Sequence, residues 1–165
     1  MVNDNIEEHE QQRILGLQQR FQQALQARAR NDVDGAAELL RSILQIEPRL
    51  AEPRMELAHI LINANQLTEA EEQAREAIRI LESGGQWTDD LSGDALLSLA
   101  YTTLGEALRL RADSDEIIFG DPEAFQRLHS ESRTVFLKAS ALDPENQHAI
   151  YWGFDPRRYR SEEEE

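Results

Sequence analysis

ALQARARNDVDGAAELLRSILQI, residues 24–46, is answered 34 residues later by AHILINANQLTEAEEQAREAIRI, residues 58–80. In phase stand Ala24 with Ala58, Asn31 with Asn65, Val33 with Leu67, Ala36 with Ala70, Leu40 with Ala74, Leu44 with Ile78 and Ile46 with Ile80. Self-similarity at this period, with small and branched apolar residues in register, predicts a helix-turn-helix repeat. Such a unit buries its apolar face only against its neighbours, so the expected fold is all-α, a short α-solenoid whose curved surface does the work. The pattern points toward binding and leaves the partner open.

Upstream, Ile14, Leu17, Phe21, Ala24 and Leu25 step by three and four, which predicts an amphipathic helix from about Ile6 to Arg30. Asn31, Asp32, Val33 and Asp34 supply a turn and a helix start, with carboxylates able to accept the free amides. The second helix is expected from about Asp34 to Ile46, and Pro48 ends it because the residue before a proline avoids the helical region. Pro53 suits the first turn of a third helix that buries Leu57, Ala58, Ile60 and Leu61. A fourth is expected from Thr68 to Leu81, with Thr68 and Glu71 as a capping box.

Past Leu81 the phase is lost. Ser83, Gly84, Gly85 and Gln86 form a longer loop, and a long helix is expected from about Thr88 to Ala112. Residues 113–121 make a second break. Asp121 and Pro122 then start a helix that Asp143 and Pro144 stop after Leu142, and Ala149 to Phe154 forms a short capping piece. The expected organisation is an acidic tail over residues 1–10, one repeat domain over 11–154 and a disordered charged tail over 155–165.

Composition bounds the function. The 165 residues are 40% apolar and 30% charged, an ordinary soluble mixture for one domain, and the absence of cysteine removes disulfides, thiolate metal sites and cysteine nucleophiles. No apolar run approaches a membrane span, and the acidic start MVNDNIEEHE is unlike a secretory leader, so a cytoplasmic protein without membrane insertion is expected. Of the net charge of -15, a large part sits at the ends, on Asp4, Glu7, Glu8 and Glu10 and on residues 162–165, all Glu. No basic stretch is long enough to track phosphates, which argues against nucleic acid.

Three units can now be aligned. The first has Ala24, Ala36-x-x-x-Leu40 and Pro48; the second Leu57-Ala58-x-x-Leu61, Ala70-x-x-x-Ala74 and Ala77; the third Tyr101-x-x-Leu104-Gly105-x-x-Leu108, Ser132-x-x-x-Phe136, Ala139 and Pro144. This pattern resembles the tetratricopeptide repeat (TPR) over roughly residues 17–144, with about 15 residues inserted between the helices of the third unit. The resemblance implies that the first helix of each unit lines a concave face that takes extended or helical peptides. Mapped onto this chain, that face is Phe21, Leu25 and Arg28, then Met55, His59 and Ile62, then Thr102, Glu106 and Arg109. The Lys and Asn constellation with which some members capture a C-terminal carboxylate is replaced here by Phe21, Leu25 and Glu56, which argues against that mode.

Other features have competing readings. Phe21 and Leu25 at helical spacing suit core as well as groove, and His59 suits a polar helix surface as well as a hydrogen-bonding role in the groove. Ile117, Ile118 and Phe119 in the second break either fold onto the core or form a second contact patch. Trp87 and Trp152 are expected to cover core edges. Asp113, Asp115 and Glu116 open like a calcium loop but lack its later glycine and glutamate, and the histidines lack metal spacing, so no metal or cofactor is expected. Neither a phosphate-binding glycine loop nor a nucleophile elbow is present, which points away from an enzyme. The leading expectation is a non-catalytic adaptor or scaffold that holds a protein or peptide segment in its groove. A secretion-type chaperone for export substrates and a module that self-assembles into homo-oligomers are the alternatives.

Overall fold

The computed structural model describes residues 2–154, with side chains from residue 5 onward; the expected C-terminal tail, 155–165, lies outside the described residues. The helices are α1 Val2–Ala29, α2 Val33–Ile46, α3 Ala51–Asn63, α4 Leu67–Glu82, α5 Gly93–Ala112, α6 Asp115–Gly120, α7 Pro122–Leu142 and α8 Gln147–Gly153. No strand occurs among the described residues. Antiparallel pairs α1/α2, α3/α4 and α5/α7 stack in chain order, α2 on α3 and α4 on α5, and α8 closes the array against α7. The all-α solenoid with an insertion in its third unit and a capping helix is therefore the observed architecture.

The two repeated asparagines have a backbone reason. Asn31 and Asn65 stand at φ 64° and 58°, the left-handed region that Asn tolerates better than most residues. Each follows a helix end in the same way. Asp32 N donates to Ala27 O at 2.8 Å and Asn31 N to Arg28 O at 2.9 Å, and in the next unit Gln66 N donates to Leu61 O at 2.8 Å and Asn65 N to Ile62 O at 3.0 Å. This pair of hydrogen bonds satisfies carbonyls the helix leaves free and turns the chain back on itself. Gly84, at φ 80°, ends α4 by the same geometry.

The core is built where helices cross. Ala24, Ala36, Ala58, Ala70, Ala74 and Ala77 are buried, as are Leu40, Ile43, Leu57 and Leu61. One apolar cluster joins α1, α2 and α3, and a second joins α3 and α4 to α5, α7 and α8, so no unit closes its core alone. At the α5/α7 crossing a Cβ on Gly105 would stand 2.9 Å from the Phe136 ring, which is why that position lacks a side chain.

Four details depart from the sequence reading. The capping box is absent: α4 starts at Leu67 after Gln66, with no side-chain cap, and Glu71 pairs instead with Arg75 and Arg111. Helix α5 starts at Gly93, capped by Ser92, rather than near Thr88, because the Thr88 amide is already bonded to Glu52. The break at 113–121 contains the one-and-a-half-turn helix α6. Helix α1 starts at Val2, so the acidic stretch is helical, although residues 5–15 are all exposed.

Candidate functional site

Helices α1, α3 and α5 lie side by side as the first helices of their units and share two side-chain bridges. Arg28 on α1 pairs with Glu56 on α3, and His59 on α3 meets Thr103 Oγ1 on α5 at 2.9 Å. The Thr103 hydroxyl donates its single proton to Leu99 O, so in this contact His59 Nε2 is the donor and Nδ1 is left as an acceptor. His59 Nδ1 is buried without a partner. Burial holds the His59 pKa below its ordinary value and Arg28 lowers it further, against the upward pull of Glu56 and Glu106.

The loop between α4 and α5 folds back across the first two of these helices. Trp87 packs on Phe21 with ring centroids 5.5 Å apart. Trp87 N and Thr88 N each donate to Glu52 Oε1 at 2.8 Å, and the Thr88 hydroxyl donates to the same oxygen at 3.2 Å. Gln86 Nε2 stiffens the loop by donating to Thr88 O and Leu91 O. Between this loop and the helices is a cavity of about 210 Å³ lined by Phe21, Leu25, Glu52, Met55, Glu56, His59, Thr88, Asp90, Leu91, Leu96 and Leu99.

Four of the nine expected groove residues, Phe21, Leu25, Met55 and His59, thus line one cavity, with Arg28 paired to its Glu56. Glu106 is half-buried near His59. Ile62 is instead buried in the core shared by α1, α2 and α3. Thr102 accepts from Asn146 Nδ2 at 2.9 Å and donates to Ser98 O. The Arg109 guanidinium stacks 4.0 Å from the Trp152 ring and pairs with Asp113 at 3.5 Å. These third-unit positions are taken up by α8 and the turn before it, because the array continues past α5 there. The triplet at 117–119 divides: Ile117 packs on the core, whereas Ile118 is 43% and Phe119 83% exposed.

Glu52, Asp90, Leu91, Leu96 and Leu99 were not legible as site residues. Glu52 precedes Pro53 in the first turn of a helix, where a carboxylate is ordinarily read as favourable to the helix dipole. Its partners lie 35 and 36 residues away, and no local spacing announces them. Trp87 beside Gly84 and Gly85 was the available signal.

Among the described residues, no group of three or more His, Asp or Glu converges as a metal-binding set, and no helix is long and apolar enough to cross a membrane. No curated protein matches the chain. Residues 27–80 match the family model of the tetratricopeptide repeat, from the last turn of α1 through most of α4. That match lies on two stacked hairpins of the expected phase, so residues 27–80 resemble the tetratricopeptide repeat in both sequence and fold.

Proposed function

We propose that this protein is a non-catalytic adaptor whose α1–α3–α5 face holds a segment of another protein. Tetratricopeptide repeats generally mediate protein–protein interactions and are typically non-catalytic. The observation that carries the reading is the cavity on that face, with apolar walls from Phe21, Leu25, Met55, Leu96 and Leu99 and polar groups at fixed positions. This is the composition expected of a recognition pocket rather than of a packing defect. A photo-crosslinking residue placed at Leu25 tests it in cells that express the full chain. Adducts at Leu25, and none at exposed Glu38 on α2, are expected; adducts confined to Phe119 or Tyr151 would move recognition to the insertion or to the end of the array.

Self-association is supported by a different feature, the outer face of α8. Ile150, Tyr151 and Phe154 are exposed there beside Trp152, at the open end of the stack. Light scattering across a concentration series, with Tyr151→Glu as the variant, separates a dimer closed through α8 from a monomer.

A further inference from the structure

The cavity between α1, α3 and the Trp87 loop is lined by Glu52, Glu56 and Asp90 and by no Lys or Arg; Arg28 pairs with Glu56, which leaves Glu52 and Asp90 without a basic partner among the cavity walls. Glu52 is 6% exposed, and while its Oε1 accepts three hydrogen bonds, its Oε2 is buried with none. His59 adds a second unpartnered acceptor, Nδ1, on the same face of α3. A buried carboxylate oxygen without a donor is costly, and the group that relieves it must donate and, ideally, carry positive charge. The remaining walls, including Leu25, Met55 and Leu96, suit a methylene stem. At about 210 Å³ the space is below the range of small-molecule pockets and takes one side chain rather than a whole ligand.

We infer that this cavity is a specificity pocket for a single basic side chain, Arg or Lys, of the bound protein segment, with Glu52 Oε2 receiving its charged head. The inference rests on the reading of this face as the binding surface. Glu52 then has two duties: one oxygen holds the loop that forms the pocket wall, and the other reads the partner's charge.

The test is selection of a randomised twelve-residue peptide library on the full-length protein, followed by synthesis of an enriched peptide with citrulline or norleucine at its basic position. Enriched sequences are expected to share one Arg or Lys. Citrulline, which keeps the shape and loses the charge, should weaken binding by about tenfold or more on the unaltered protein. Glu52→Gln keeps an oxygen for the loop amides and removes the charge, so it should bind the Arg and citrulline peptides about equally. Amide resonances of Trp87 and Thr88 report whether the loop survives in that variant, and the citrulline result stands without it.

Enrichment of peptides with no common basic position overturns the pocket assignment while leaving the binding face intact. A preference for Arg over citrulline that persists in a folded Glu52→Gln variant overturns it also. Loss of all enrichment, or enrichment unaffected by Leu25→Glu, defeats the proposed binding face itself. Enrichment seen only after removal of residues 155–165 would assign the pocket to the chain's own Arg157, Arg158 or Arg160 and overturn a partner's occupancy.

Discussion

The α3/α4 and α5/α7 hairpins solve one problem in two ways. The first reverses through residues 64–66 on a left-handed Asn65; the second runs through residues 113–121 and carries α6. Both nevertheless close on a small residue of the first helix, Ala58 in one and Gly105 in the other, each beneath a second helix. The third unit shows how small that residue must be: Ala58 and Ala74 are both fully buried in one core cluster, whereas Phe136 leaves no room for a Cβ on Gly105. The crossing, not the turn, therefore fixes the hairpin. A longer connection is tolerated because loop-closure entropy rises only logarithmically, by about 0.6 kcal/mol for each doubling of length.

The largest consequence lies at the crossing of the third unit. Phe136 is 1% exposed and fills the space over Gly105, so Phe136→Ala should destabilise by about 3–5 kcal/mol in urea unfolding. A cost under about 1 kcal/mol would mean that α5 and α7 are held elsewhere. In the regular unit the same logic runs in reverse. Ala70 is fully buried between α4 and its neighbours, and Ala70→Leu should overpack it at a cost of about 1–3 kcal/mol.

The turns give a smaller contrast. Asn65→Ala places a Cβ-bearing residue without a compensating amide at φ 58° and should cost about 1 kcal/mol, while Asn65→Gly should be close to neutral. The third unit has no such residue at the end of α5, where Asp113 has φ -82°. Asp113→Gly should bring no gain, and a stabilisation there would show that the insertion conceals the same turn.

The smallest effect concerns the joint between the two units, the His59–Thr103 contact. Burial keeps His59 neutral below its ordinary pKa of 6.5. The unfolded chain accepts a proton that the folded protein resists, so this contribution is full above 6.5 and declines as pH falls below it. His59→Gln should lessen the loss of stability as the pH falls below 6.5. Glu47 and Glu76 do not confuse this window, because Arg49 and Arg79 hold their carboxyls below the ordinary 4.5.

Periodicity made the first four helices readable because their determinants are local: alanines at crossings, asparagines at turns and Pro48 after α2. Gly105 and Phe136, 31 residues apart, were readable only as positions in a repeat, and the reason for their pairing emerged in three dimensions. The cavity was half legible. Phe21, Leu25, Met55 and His59 follow from the repeat phase, but Glu52 and the loop residues reach the site through contacts that leave no periodic trace. Thr102, Ile62 and Arg109 occupy the phase of groove residues yet serve the core or the α8 junction, because helix phase gives a face and not what covers it.

Leu25 is half-buried at the edge of the α1–α2–α3 core, so it distinguishes the regular face from the inserted one at less cost to folding than a fully buried position. Met55 and Ile62 are 5% and 8% exposed, so Met55→Glu or Ile62→Glu would bury an unpaired charge and test folding instead. The decisive measurement is calorimetric titration of the crosslinked partner segment into the wild type, Leu25→Glu and Phe119→Asp, with far-ultraviolet circular dichroism as the check on fold. Leu25→Glu should lose about tenfold or more in affinity at unchanged helicity, and Phe119→Asp should bind like the wild type. If Phe119→Asp abolishes binding while Leu25→Glu retains it, recognition belongs to the insertion and not to the α1–α3–α5 face.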